Sequence, residues 1–303
     1  MTNAIETRNL EKRYKDFAAV QNLNLEVPTG SVFGFLGPNG AGKTTSIMMM
    51  LGNIRPTQGS ATVLGEPIGN VKIRRRIGFL PEKFQFHEFL TAEEFLHLHG
   101  KLNGMKREER NRRIPIVLAR VGLQERSKSR LREFSKGMQQ RVGLAQAILH
   151  EPDLVILDEP TSALDPLGRR DVRDLVMELK SEGKTVLLNS HLLSEIEMTC
   201  DRVAIIKRGQ IEVQGTMDEL LTVASTVQVE VRGMNDAALS AVRSLVSKLR
   251  LERVPITQFT AYLKSEADIG ELARAIVQNG VELRALIPKR ETLEELFVRI
   301  MEQ

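Results

Sequence analysis

In the stretch DPLGRRDVRDLVMELKSEG, Val172, Leu175, Val176 and Leu179 recur at i, i+3, i+4 and i+7. That spacing predicts a helix with one core-facing stripe, capped by Asp165, opened by Pro166 and ended at Gly183. The runs flanking it differ. PDLVILDEP and KTVLLNSH are unbroken apolar runs of strand length, the pattern of strands buried on both faces. SVFGFLGPNGAGKTTSIMMML reads as a third short apolar strand, a glycine-rich turn and a helix start, and RVAIIKRGQIEVQG as a hairpin turning at Arg208-Gly209. Buried strands alternating with amphipathic helices predict a mostly parallel sheet covered on both faces, the α/β class.

Two regions depart from that pattern. Residues 84–150 are helical in periodicity and rich in charge, with KREERNRR, RSKSRLRE and a capping box at Thr91 and Glu94. They read as a helical insertion whose basic runs are solvated faces. A second reading of those runs is attraction to anionic lipid, worth about 1 kcal/mol per cation. From residues 216–226 the chain changes character again. Thr216 with Glu219 caps a short helix, and TVQVEVRG opens a small α+β unit. Leu239, Val242, Val246 and Leu249 are expected to line one helix of that unit. Ile269, Leu272, Ala273 and Ile276 line a second, closed by Asn279-Gly280, and Leu293, Leu296, Phe297 and Ile300 line a third. The expected boundaries are 1–220 for the first domain and 226–303 for the second, which carries no recognisable chemical motif.

Composition narrows the class. Of 303 residues, 42% are hydrophobic and 27% charged, and the net charge is +4. This is the balance of an ordinary globular protein, and too weakly basic to argue nucleic-acid binding, so no nucleic-acid partner is expected. The single cysteine, Cys200, excludes an intramolecular disulfide and reads as a small buried hydrophobe. No apolar run approaches the ~18 residues of a membrane span, and MTNAIETRNLEK has no signal-peptide core, so a link to a membrane is expected only through a partner. His97 and His99, two apart on a helix, face apart and do not form a metal pair.

The chemistry lies in ordered motifs. Gly37, Pro38, Asn39, Gly40, Ala41, Gly42, Lys43 and Thr44, followed by Thr45, fit the phosphate-loop pattern between a strand and a helix. Backbone N–H groups approach the phosphates, Lys43 reaches the β- and γ-phosphates, and the Thr44 hydroxyl ligates Mg²⁺. Asp158, at the end of a buried strand, can hold Mg²⁺ through water, and Glu159 can orient or deprotonate a water. FSKGMQQ, before the apolar helical run RVGLAQAILH, places Ser135 and Gly137 at a helix mouth, a second anion-facing loop.

Residues 1 to about 218 resemble the ATP-binding subunit of an ABC transporter, on GPNGAGKTT, FSKGMQQR, LVILDEP, SALD and NSH in that order. The resemblance implies a P-loop ABC cassette with a helical subdomain at about 84–150, followed by the small α+β domain. It implies ATP and Mg²⁺ as cofactors, catalytic roles for Lys43, Glu159 and His191, and Thr44, Asp158 and Glu82 around the metal. It also implies that Tyr14 stacks on adenine, that His191 bonds the γ-phosphate, and that Asp165 lies in the loop crossing to a second subunit. Ser135 and Gly137 would contact nucleotide from that second subunit, in a homodimer or beside a closely related ATPase. Two departures, Glu82 for the usual glutamine and Lys136 and Met138 within the signature loop, resemble the exporter branch with a separate integral membrane permease, as does the ending ETLEELFVRIM. The expected location is therefore the cytoplasmic side of the membrane, held there by the permease. Two rivals are a soluble ABC-type factor in translation or repair, disfavoured by a single phosphate loop without a long heptad run, and a regulatory ATP-binding protein without turnover, disfavoured by the intact Lys43, Asp158, Glu159 and His191.

Overall fold

A computed structural model describes residues 2–221, 226–251, 258–263, 268–289 and 291–302. The chain falls into two compact units, Met1–Met217 and Asp218–Gln303.

The first unit is built on a six-stranded sheet. Its order is Gln210–Thr216, Arg202–Lys207, Val32–Leu36, Thr185–Asn189, Leu154–Asp158 and Ile77–Leu80. All neighbours run parallel except the edge hairpin Arg202–Lys207/Gln210–Thr216. That hairpin turns where predicted, with Arg208 at φ 49° and Gly209 at φ 83°. Two left-handed central residues give the turn whose twist matches the strands. Every residue of Leu154–Asp158 and Thr185–Asn189 is buried. Because Val32–Leu36, Ile77–Leu80, Leu154–Asp158 and Thr185–Asn189 are parallel, the segments leaving their C-terminal ends emerge on one edge of the sheet, where ligands of such sheets bind.

An antiparallel sheet adds to this expected core. Asn3–Tyr14 pairs with Phe17–Leu23, Glu26–Pro28 and Gln58–Val63. Its Ile5, Leu10, Val20 and Val63 join Phe33, Phe35, Leu154 and Ile156 of the parallel sheet in one core. Ile47, Met49 and Met50 of helix Lys43–Met50 lie in that same core, so the helix that opens at Lys43 is anchored on its apolar side. Helices Ala92–Leu102, Arg107–Arg120 and Lys136–Ile148 occupy the charged stretch, and the Thr91/Glu94 capping box forms. Helix Pro166–Ser181 buries the predicted Val172, Leu175, Val176 and Leu179, and Asp165 Oδ1 accepts from Gly168 N at 2.9 Å. Cys200 is buried, which raises its thiol pKa well beyond the range of a reactive thiol.

Among the described residues the second unit runs strand–helix–strand–strand–helix–strand from Thr226 and ends in helix Leu293–Glu302, which buries the predicted Leu293 and Leu296. Its sheet order is Val246–Leu251, Gln258–Leu263, Thr226–Arg232, Glu282–Lys289, with every neighbour antiparallel. Two interleaved βαβ halves of this kind make the ferredoxin-like arrangement. Val227, Val229, Val231, Phe259 and Ala261 pack against Ala238 and Val242 of helix Asp236–Leu245 and Leu272 and Ile276 of helix Ile269–Gln278. The helix expected to carry Leu239, Val242, Val246 and Leu249 stops at Leu245, and Val246–Leu251 is a strand. Its backbone bonds to Gln258–Leu263, and Leu249 still packs on the same core. Long-range pairing thus overrides a helical spacing that a β-branched residue already weakens. Residues 222–225, within the region where the chain changes character, lie outside the described residues.

Candidate functional site

The loop between Leu36 and Lys43 owes its shape to glycine. A Cβ on Gly37 would lie 2.3 Å from the Ile206 carbonyl oxygen, and Gly42 sits at φ 104° with the Ala19 carbonyl oxygen 2.5 Å from where a Cβ would be. Either substitution forces backbone to move, so the loop lies tightly against strands Arg202–Lys207 and Phe17–Leu23. Lys43 Nζ folds back over the loop, donating to Gly37 O at 2.7 Å and Pro38 O at 3.1 Å. Burial lowers the Lys43 pKa, opposed by the charges of Glu159, Asp158 and Glu82.

Asn39, Gly40, Ala41, Gly42, Lys43, Thr44, Thr45, Glu82, Glu159 and His191 line one cavity of about 720 Å³, joined by Phe17, Ala19, Ser162 and Asn189. Asp158 is buried behind this lining and accepts a short hydrogen bond from Asn189 Nδ2. Burial is the main cause raising its pKa, the Asn189 bond opposing it. Burial likewise raises the Glu159 pKa, opposed first by the hydrogen bond from His191. Glu159 Oε2 lies 2.7 Å from His191 Nδ1. Glu159 holds a left-handed backbone, φ 55°, stabilised by its N–H donating to Asn189 O at 2.8 Å. A half-desolvated carboxylate beside an imidazole, facing a glycine cradle and an ammonium, can accept a proton from water next to a bound polyphosphate.

Ser135, Gly137 and Asp165 are elsewhere. They line a second concavity of about 620 Å³ with Lys136, Met138, Arg126 and Arg141. No residue lines both. Ser135 caps helix Lys136–Ile148, its Oγ accepting from Met138 N at 3.2 Å. Tyr14 is absent from the lining of the first cavity. It is half exposed, with Lys12 Nζ 5.0 Å from the ring centroid. The aromatic ring that does line the cavity is its strand partner across the turn, Phe17, which sequence reading missed. Asn189 was also missed, although it stands in the NSH motif already singled out for His191. Its polar residue at the end of an apolar strand was the available signal.

The family described as ABC transporter matches residues 20–162, which carry the phosphate loop, Ser135 and Glu159. Over 306 residues the chain is 39% identical to an uncharacterised ABC transporter ATP-binding protein of Synechocystis sp., covering 98% of this chain and 84% of that protein. This chain belongs to the ABC transporter ATP-binding proteins. It is also 36% identical to the bacitracin transport ATP-binding protein BcrA of Bacillus licheniformis, covering 99% of this chain and 98% of that protein. Among solved structures, a dimeric ATP-binding cassette in a post-hydrolysis state, bound to ADP and phosphate, superposes with a TM-score of 0.66 at 28% identity, covering 70% of this chain and 98% of that one. The chain is the ATP-hydrolysing subunit of an ABC transporter. Such subunits work as dimers with transmembrane permeases. Among the described residues no helix is long and apolar enough to cross a membrane. Neither a soluble translation or repair factor nor a non-transport regulator finds support in these relatives.

Proposed function

We propose that this chain energises export through a separate membrane permease, as a homodimer in which each ATP lies between the Lys43 cavity of one subunit and the Ser135 concavity of the other. The observation that carries this reading is that Lys43 and Ser135 open into two concavities sharing no residue. A nucleotide lying between two chains would meet both loops. A two-fold axis makes two equal sites from one pair of surfaces. The subunit is held at the cytoplasmic face of the membrane by the permease.

In this reading the Gly37–Thr45 loop binds the phosphates, and Lys43 moves from its own loop carbonyls to the β- and γ-phosphates. The donor set around Lys43 fits Mg²⁺. Thr44 and Glu82 line the cavity and Asp158 stands behind it, all offering oxygen. The remaining ligands of such an ion would come from phosphate and water. When bound, Mg²⁺ neutralises charge on the phosphates. Glu159 accepts the proton of the attacking water, His191 bonds the γ-phosphate and orients Glu159, and Ser135 and Gly137 close the site from the partner subunit. Tyr14 and Phe17 supply the aromatic surface for adenine, and Asp165 lies at the subunit boundary. The ferredoxin-like unit serves dimerisation or regulation. The test is Glu159→Gln with ATP on a size-exclusion column. The variant is expected to elute as a stable dimer without turnover, and a monomer that binds ATP normally would contradict the composite site.

A further inference from the structure

We propose that Gln140 is a positioning residue that holds the backbone of Glu159 from the helix capped by Ser135. The inference rests on the composite-site reading only for the partner that Ser135 meets, not for the intrachain geometry. Helix Lys136–Ile148 presents Ser135 and Gly137 to the second concavity at its N-terminus. One turn further, Gln140 Nε2 donates to the main-chain carbonyl of Glu159 at 3.3 Å. The same carbonyl accepts from Ser162 Oγ at 3.1 Å. The residue so held carries its carboxylate into the first cavity and keeps a left-handed backbone, φ 55°. For a residue with a Cβ that conformation costs about 1–2 kcal/mol and persists only where its surroundings impose it.

The bonds at Glu159 are that imposition. Asn189 O fixes its N–H and Gln140 and Ser162 fix its carbonyl. Of these three anchors, only Gln140 comes from the Ser135 helix. The helix N-terminus also rests on the loop following Glu159: a Cβ on Gly137 would lie 3.3 Å from Leu164 Cδ2 and 3.6 Å from Ala163 O. The element that offers Ser135 to one concavity therefore holds, through a single amide, the peptide that aims Glu159 into the other. Neither the phosphate loop nor the Ser135 surface uses the Gln140 side chain, which lines neither concavity.

The test compares three variants in the full-length protein. Gln140→Met removes the donor at similar volume, Gln140→Glu removes it in a near-isosteric side chain that only accepts when ionised, and Gln140→Lys restores an N–H donor of sufficient reach. ATP-dependent dimerisation is measured first, each variant in a Glu159→Gln background. Loss of the dimer in the Glu159→Gln parent itself would strike at the composite-site reading rather than at Gln140. With assembly normal, Met and Glu are expected to lower kcat about fivefold, the rate equivalent of one neutral hydrogen bond. KM for ATP stays unchanged, the melting temperature falls by no more than about 2–4 °C, and Lys recovers most of the kcat loss. Should Met unfold, Glu carries the same comparison. An unchanged kcat in a folded Met or Glu variant, or an equal loss in Lys, would overturn the assignment.

Discussion

The two concavities of the first unit differ in the charge they present. Around Lys43 the ammonium is outnumbered: Glu82 and Glu159 line the cavity and Asp158 stands behind it. Around Ser135 the fixed charges are Lys136, Arg126 and Arg141 against Asp165. The first surface carries the carboxylates that chemistry on water and a divalent cation requires, while the second offers cations and a helix N-terminus to an anion, its carboxylate Asp165 being engaged in capping helix Pro166–Ser181. In the proposed reading each is half of a phosphoryl-transfer site. The difference, so read, gives a second copy its purpose: the chemistry is divided between two surfaces, and a partner chain supplies the half that each nucleotide lacks.

The largest effect expected from breaking this division is at the base. Glu159→Gln should lower kcat by about 10²–10⁴-fold while ATP binding is retained, read by steady-state ATPase and by fluorescent-nucleotide titration. Ser135→Arg should act on the other half, lowering turnover by about tenfold or more through lost assembly while the isolated subunit binds ATP as before. Equal loss of monomer binding in that variant would merge the two surfaces.

Next comes the cradle. Gly37→Ala places a Cβ 2.3 Å from the Ile206 carbonyl, and overpacking of this kind costs about 1–3 kcal/mol. Thermal melting without nucleotide should show it, since the Ser135 helix is untouched. The smaller effect has the opposite sign. Asp158 has its folded pKa raised by burial, so the folded state binds its proton more tightly than the unfolded one. Stability from this group is present below its unfolded pKa and lost as pH rises through the folded value. Above the folded value the buried carboxylate therefore weakens the fold, and Asp158→Asn should raise the nucleotide-free melting temperature there while abolishing turnover. That gain should vanish at acid pH, and a gain independent of pH would reject this cause. Smallest of all, a chain ending at Leu220 should bind ATP with affinity within about twofold of the full protein, as expected of a unit whose binding loops all precede it.

Much of the cassette was legible because its signals are local. The phosphate loop is written in consecutive residues, helix Pro166–Ser181 carries its stripe and both stops, and the buried strands are unbroken apolar runs. The antiparallel sheet was not legible, since Asn3–Tyr14 meets Gln58–Val63 only across a long separation and with a register shift. The same limit applied to Val246–Leu251, whose spacing matches a helix until Gln258–Leu263 pairs with it. Tyr14 and Phe17 differ by a two-residue turn, and only the strand pairing reveals which ring lines the cavity. Gln140 was invisible as an anchor because its partner is a carbonyl, which leaves no mark on composition.

The most direct test of the divided site is a mixed dimer. A subunit carrying Ser135→Cys and Lys43→Ala is paired with one that retains Lys43, and a γ-phosphate-reactive ATP analogue is added. Two chains sharing each nucleotide predict that the cysteine is labelled by analogue held on the partner's Lys43 and that labelling stops when Lys43 is removed from both chains. Labelling that instead requires Lys43 on the same chain as the cysteine would contradict the account.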